Sequence, residues 1–133
     1  MVPVLFAFSE TGLLALRLVA AAIFLAHGWP KLKSIKTTQQ NFGMMGFRPG
    51  WLWGTIVALL EGLGGPLLLI GFLVQPLGVL LAFQMVVATF WKLKQGQKFV
   101  NGYELDLLLV AALLVLATAG AGALSVDNYF RLF

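Results

Sequence analysis

Four long runs of apolar residues dominate the chain, and short polar stretches separate them. Apart from a shorter third run, each approaches the roughly 20 residues that a helix needs to cross the hydrocarbon core of a bilayer. Apolar and polar positions do not alternate as they do in the strands of a membrane β-barrel. The pattern therefore predicts an all-α fold, a membrane-spanning four-helix bundle with its helices in antiparallel up-down order. The predicted spans, within a single domain at 1–133, are residues 12–29, 51–74, 77–92 and 105–124.

The composition excludes several other classes of protein. Hydrophobic residues make up 60% of the chain and charged residues only 11%, whereas a soluble domain carries about 25% charged residues and a disordered chain is highly charged. The absence of cysteine excludes disulfide bonds and thiol redox chemistry. Because His27 is the only histidine, one chain cannot supply two histidine ligands to a haem.

Basic residues are concentrated in two polar stretches, at residues 30–50 and 92–104. The positive-inside rule places such loops in the cytoplasm, which puts both termini on the outer side of the cytoplasmic (inner) membrane. The net charge of +4 is then a topology signal that faces anionic lipid, and no nucleic-acid partner is predicted. The basic residues of the two stretches are Lys31, Lys33, Lys36, Arg48, Lys92, Lys94 and Lys98.

Three polar residues fall at membrane depth, where charged side chains cost about 2.5–3.5 kcal/mol each and usually mark function. Helical rise places Arg17, Glu61 and Gln84 at similar depths in the first three helices. We therefore predict a buried cluster of the three, with Arg17 and Glu61 as an ion pair. Two interpretations stay open: the pair is a structural clamp between helices, or the cluster lines a pocket for a polar headgroup, a proton or a quinone.

Two further residues lie near helix ends that face the predicted cytoplasmic side. His27 is close to the end of the first helix, and Glu104 begins the fourth. A histidine there is a candidate proton-transfer group, with Glu104 as a candidate relay partner. The alternative for His27 is a cap on the first helix, and for Glu104 a favourable charge at a helix N-terminus. One histidine with scattered acids has no recognisable metal-ligand spacing, so no metal site is predicted.

The second helix also carries signals for packing. Small residues recur along one face of it, which predicts close approach by a neighbouring helix. The Gln75-Pro76 pair predicts the tight turn to the third helix. The small residues of this face are Gly54, Ala58, Gly62 and Gly65.

Short motifs mark the first helix, the second helix and the end of the chain. The first helix has an Arg followed by an H-G-x-x-K element, the second has E-x-x-G-G, and G-x-G-x-x-S-x-D follows the fourth. The residues at these positions are Arg17, His27, Gly28, Lys31, Glu61, Gly64, Gly65, Gly120, Gly122, Ser125 and Asp127. With these motifs the chain resembles the DoxX family of small bacterial and archaeal membrane proteins. The resemblance implies a four-helix bundle linked to quinol oxidases, to thiosulfate:quinone oxidoreductases, or to defence against quinones, catechols and oxidative stress.

The residues and the resemblance together suggest a membrane subunit or accessory of a quinone-linked oxidoreductase or detoxification system. Arg17, Glu61 and Gln84 would polarise or protonate a quinone or quinol, and His27 with Glu104 would relay protons. Whether the chain is itself an enzyme stays open, because electrons would come from a bound quinone or a partner protein. Two alternatives remain: a non-catalytic module that holds a soluble partner, and a small transporter that uses the Arg17–Glu61 pair. A homo-oligomer is compatible with each.

Overall fold

The computed structural model of the chain describes residues 4–132, and every regular element within that range is helical, which confirms the all-α class. A 3₁₀ turn at Val4–Phe8 precedes the first α-helix, and a kinked turn at Phe99–Tyr103 precedes the fifth. The helices are α1 (Ser9–Lys33), α2 (Ile35–Met44), α3 (Gly50–Ile70), α4 (Val74–Lys94), α5 (Glu104–Ala119) and α6 (Val126–Phe130). Over the described range, four segments are long and apolar enough to cross a membrane: α1, α3, α4 and Phe99–Ala119.

The long helices pack as two pairs, α1 against α3 and α4 against α5. Large apolar side chains from all four helices fill the core between them. The two pairs touch each other less extensively than the helices within each pair do, and α2 lies on α3. This arrangement leaves room for a cleft between the pairs. Fully buried core side chains include Phe24, Leu68, Leu81, Leu113 and Leu116.

Glycines bring α1 and α3 into close contact and fix how the two helices are aligned. A Cβ atom on Gly28 would overlap the backbone at Gly62, and one on Gly65 would press on the backbone of Leu25. Gly28 therefore lies opposite Gly62, and Leu25 lies opposite Gly65, which is an antiparallel alignment. The predicted close approach along the small-residue face of α3 is confirmed.

The connection between α1 and α3 differs from the expected loop. α1 continues through Pro30 to Lys33 and ends where Ser34 leaves the helical region (φ −123°, ψ 57°). Residues 35–44, which lack a long apolar run, form α2. Packing against α3 stabilises this mostly polar helix, whose Thr38 is buried.

The turn between α3 and α4 lies at residues 71–73, four residues before the expected position at Gln75-Pro76. Gly71 adopts a left-handed conformation (φ 77°), and the amide of Phe72 donates to Leu67 O at 2.9 Å, which is the Schellman ending of a helix. Pro76 instead occupies the first turn of α4, where a missing N–H leaves no hydrogen bond broken.

Candidate functional site

A buried carboxylate lies at the centre of the candidate site. Glu61, on α3, is 4% exposed. Its Oε2 accepts a hydrogen bond from Lys31 Nζ at 2.5 Å, and its Oε1 accepts one from Gln84 Nε2 at 2.6 Å. The predicted association of Glu61 with Gln84 is therefore present. The cation beside Glu61 is Lys31, which the sequence indicates as a motif residue and a topology-setting lysine but not as a member of the cluster.

Arg17 is not part of this cluster, and the predicted Arg17–Glu61 ion pair is wrong. With Gly28 opposite Gly62, Arg17 lies level with the end of α3, roughly 15–20 Å from Glu61 by helical rise. The first turns of α1 extend beyond the level at which α3 ends. Two residues that lie equally far from the ends of their own helices therefore lie at different depths in the bundle. The transporter alternative, which used this pair, loses its structural basis.

Arg17 instead holds the C-terminal part of the chain. Its side chain is 3% exposed, and its guanidinium donates to Ala121 O at 2.5 Å and to Leu124 O at 2.8 Å. The structural-clamp interpretation therefore fits Arg17, but its partners are the segment after α5 and Leu69 O near the end of α3, at 3.5 Å, rather than Glu61.

Asp127 anchors the same segment to the α3–α4 turn. Its carboxylate is buried and accepts the backbone N–H groups of Leu73 at 2.7 Å and Val74 at 2.9 Å. Its own N–H donates to Gly71 O at 2.9 Å. Leu73 has a positive φ of 56°, an unusual conformation for a branched side chain. The carboxylate therefore stabilises both a strained residue and the start of α4.

The other motif residues near the end of the chain shape this connection. Gly120 and Gly122 take φ values of 87° and 90°, which ends α5 at Ala119 rather than at residue 124. Ser125 Oγ donates to Gly122 O at 2.7 Å and accepts from Asn128 N at 3.1 Å, which caps α6. We call residues 120–127, with their contacts to Arg17 and the α3–α4 turn, the tail clasp.

A cavity of about 820 Å³ lies in the cleft beside Glu61. Its walls come from α1 to α5 and are mainly aliphatic and aromatic. This volume falls in the roughly 300–1,000 Å³ range of small-molecule sites, which typically combine apolar walls with a few polar groups. The polar and charged residues of α1, α3, α4 and α5 that line it are His27, Lys31, Glu61, Gln84, Lys92 and Asp106.

A second ion pair lines the cavity. Lys92 Nζ lies 2.8 Å from Asp106 Oδ2, and Asp106 is buried. Gln84 and Lys92 are eight residues apart on α4, which places them on one face of the helix, about 12 Å apart along its axis. This spacing from Gln84 is the feature of the sequence that indicates Lys92 as a residue of the same helix face. The position of Asp106 in the first turn of α5 suggests only a favourable negative charge at a helix N-terminus.

The predicted relay between His27 and Glu104 is not formed. His27 lines the cavity and is exposed. Glu104 is exposed as well, but its Oε1 accepts from the backbone N–H of Asn101 at 3.2 Å, and it is not among the residues that line the cavity. The kinked turn before α5 directs Glu104 towards its own backbone. The cavity thus unites His27, Glu61 and Gln84 and leaves out Arg17 and Glu104.

The four membrane-length helices define a multi-pass membrane protein, and the lipid bilayer is its surroundings. Comparison with known families agrees, because a family model described as DoxX matches residues 12–93. The chain therefore belongs to the DoxX family. The matched segment includes the Lys31–Glu61–Gln84 cluster and Lys92.

Named relatives extend over most of the chain. The chain is 32% identical over 120 residues to "Putative oxidoreductase CatD" of Bacillus subtilis (strain 168). The aligned region covers 90% of this chain and 87% of that protein. The chain is 31% identical over 121 residues to "Inner membrane protein YqjF" of Escherichia coli (strain K12), covering 90% and 92% of the two chains. "Inner membrane protein YphA" of the same organism is 28% identical over 124 residues, covering 87% and 88%. No solved structure matches significantly.

Proposed function

We propose that the cavity binds a quinone-type ring and that the protein is a membrane subunit or accessory of a quinone-linked oxidoreductase or detoxification system. One observation carries the proposal: an apolar and aromatic cavity of ligand size has the Lys31–Glu61–Gln84 cluster in its wall. A flat ring with two oxygen substituents needs apolar contact for its faces and a few polar groups for its edge.

The route into the cavity supports a lipophilic ligand. Several residues that line it are also exposed at the outside of the bundle, on α3 and α4. On a membrane-spanning bundle this surface faces acyl chains, so a ring dissolved in the bilayer reaches the cavity without crossing water. These residues are Trp53, Ile56, Leu80 and Phe83.

The charged residues supply proton chemistry and not electrons. Lys31 and Glu61 form a hydrogen-bonded acid–base pair in the cavity wall, and groups of these types exchange protons with the oxygens of a bound ring. His27, on the exposed side of the cavity, connects it to the surroundings. Electrons come from the bound ring or a partner oxidoreductase. The word oxidoreductase in the name of the Bacillus subtilis relative supports this class.

Binding of the ring is tested by thermal unfolding of the purified protein with 1,4-naphthoquinone and with its reduced diol. A ligand that binds only the folded protein raises the unfolding midpoint, and we expect at least one of the two to do so. Glu61→Gln should weaken that affinity about tenfold, because the site loses its charged acceptor and Lys31 loses its counter-charge.

Glu104→Gln is the matched control, since it makes the same chemical change at an exposed acid outside the cavity. It should keep the ligand-dependent shift of the unmodified protein. If neither form of the ring stabilises the folded, unmodified protein, the proposed function is wrong. Equal losses of affinity in the two variants would also contradict it.

The orientation in the membrane is part of the proposal. Lys36 lies on α2 after the end of α1, and Tyr129 lies on α6 at the opposite end of the bundle. Both are exposed. We place α2 and the turn before α5 in the cytoplasm because their lysines follow the positive-inside rule. Exposed lysines there, such as Lys33 and Lys94, offer the contact for a soluble partner.

The cysteine-free sequence makes this orientation easy to measure. In sealed vesicles that keep the orientation of the cell membrane, a membrane-impermeant maleimide should label Tyr129→Cys at once. It should label Lys36→Cys only after the vesicles are opened. The reverse pattern would contradict the proposed sidedness.

A further inference from the structure

Gln84 has a hydrogen-bond acceptor that no group in the described part of the chain satisfies. Its Nε2 donates to Glu61 Oε1 at 2.6 Å. Its Oε1 is buried and has no hydrogen-bond partner within residues 4–132. Buried polar atoms in folded proteins are nearly always paired with protein, water or ligand. Gln84 also lines the cavity, so a molecule in the cavity is the natural source of the missing donor.

The orientation of the Gln84 amide is fixed by its neighbour. An amide group can be turned so that its oxygen and nitrogen exchange places. Here the exchange would set the amide oxygen against Glu61 Oε1, and two acceptors would face each other at 2.6 Å. The N–H₂ group therefore faces Glu61, and the free group of Gln84 is an acceptor, not a donor.

Several donors in the cavity wall are already engaged, although His27 and Asn41, which also line it, make no side-chain hydrogen bond within the described residues. The indole N–H groups of Trp53 and Trp91 and the hydroxyl of Thr38 donate to backbone carbonyls. The ammonium groups of Lys31 and Lys92 lie against carboxylates at 2.5 and 2.8 Å. An ammonium group has three N–H donors, so a quinone carbonyl can share a lysine with its carboxylate, but the charged acceptor makes the stronger bond of the two.

We infer that Gln84 selects a ligand hydroxyl, so that the cavity prefers the reduced aromatic diol over the oxidised quinone. This inference rests on the proposed function and gives its substrate class. A diol donates to Gln84 Oε1, whereas a quinone has only acceptors to offer and leaves that oxygen unpaired. A preference for the reduced form also raises the reduction potential of the bound ring relative to the free ring. The site therefore retains the quinol once it is formed.

Three ligands with one ring test the inference under anaerobic conditions: 1,4-dihydroxynaphthalene, 1,4-dimethoxynaphthalene and 1,4-naphthoquinone. The dimethoxy compound keeps the oxygens of the diol but removes both donors. From thermal shifts at increasing concentration, the diol should bind the unmodified protein about tenfold more tightly than either other ligand. Equal affinities, or tighter binding of the quinone or the ether, would overturn the inference and leave ring binding itself intact.

Gln84→Met tests whether this residue is the source of the preference. Methionine is a flexible chain of similar length without the amide, so the diol should lose about tenfold in affinity and the three ligands should become nearly equal. Val87→Ala, which changes an apolar residue of the same cavity wall, should keep the order of affinities. A diol preference that survives in Gln84→Met would refute the role of Gln84. No binding by any of the three ligands would refute the proposed function and this inference together.

Discussion

Asp127→Ala will destabilise the bundle by about 3 kcal/mol. The Asp127 carboxylate accepts the backbone N–H groups of Leu73 and Val74, and amides in the first turn of a helix have no acceptor within it. Alanine leaves both unpaired and releases the turn that holds Leu73 at positive φ. The change is measured as the free energy of unfolding in mixed detergent micelles.

Glu10→Gln is the control for this prediction. Glu10 Oε2 accepts the N–H of Ala123 at 2.8 Å, so it also holds the tail clasp, but it is exposed. An exposed hydrogen bond that a glutamine oxygen can still accept should change stability by less than about 1 kcal/mol. Asp127→Asn, which keeps one acceptor oxygen, should fall between the two. If Asp127→Ala is no more harmful than Glu10→Gln, the tail clasp is not a stabilising element.

The tail clasp changes how charges at membrane depth are interpreted. A charged residue in an apolar helix is a candidate functional residue by default, and both Arg17 and Glu61 satisfy that rule. Arg17 faces backbone carbonyls and is not among the residues that line the cavity, which is a structural environment. Glu61 faces a lysine, an amide and a cavity of ligand size. The depth of a charged residue in the membrane does not distinguish a structural role from a functional one. The polar groups that surround the residue do.

The fold class can be predicted from the sequence because each membrane-spanning helix is recognisable from its own residues. A run of about 20 apolar residues reflects the thickness of the bilayer and needs no knowledge of the neighbouring helices. The Glu61–Gln84 contact is predictable for a related reason. A short turn joins α3 and α4, so counting residues from that turn matches positions on the two helices. From the observed turn, centred on residue 72, Glu61 and Gln84 are 11 and 12 residues away. From the expected turn they are 14 and 8 residues away, a mismatch of about 9 Å along the helices that only long side chains can bridge.

Arg17 and Lys31 could not be placed in the same way. α2 separates α1 from α3, so the chain does not fix how far the two helices slide past each other. The alignment is set by contact between Gly28 and Gly62, which is a property of two surfaces rather than of either helix. That alignment brings Lys31 to Glu61, because helical side chains lean towards the N-terminus of their own helix, and it leaves Arg17 at the far end.

Gly28→Ala will be at least as damaging as Asp127→Ala, because the added methyl group meets backbone that cannot move aside. A Cβ atom at position 28 would overlap the backbone of Glu61 and Gly62. The collision separates α1 from α3, and because backbone rather than a flexible side chain is in the way, the cost lies at or above the upper end of the roughly 1–3 kcal/mol typical of overpacking. Since Lys31 and Glu61 lie on these two helices, the variant should also lose the ligand-dependent thermal shift. Both quantities are read from one thermal unfolding series, with and without the ring compound.

Gly12→Ala makes the same change on the same helix in open space, since a Cβ atom there has nothing within 4 Å. Alanine is the better helix former, so this variant should be unchanged or more stable by up to about 1 kcal/mol. The contrast isolates the contact, because helix propensity favours alanine at both positions and only Gly28 has a neighbour to displace. If Gly28→Ala is as stable as Gly12→Ala and still binds the ring, α1 and α3 are not held together by this glycine contact, and the alignment that joins Lys31 to Glu61 must have another cause.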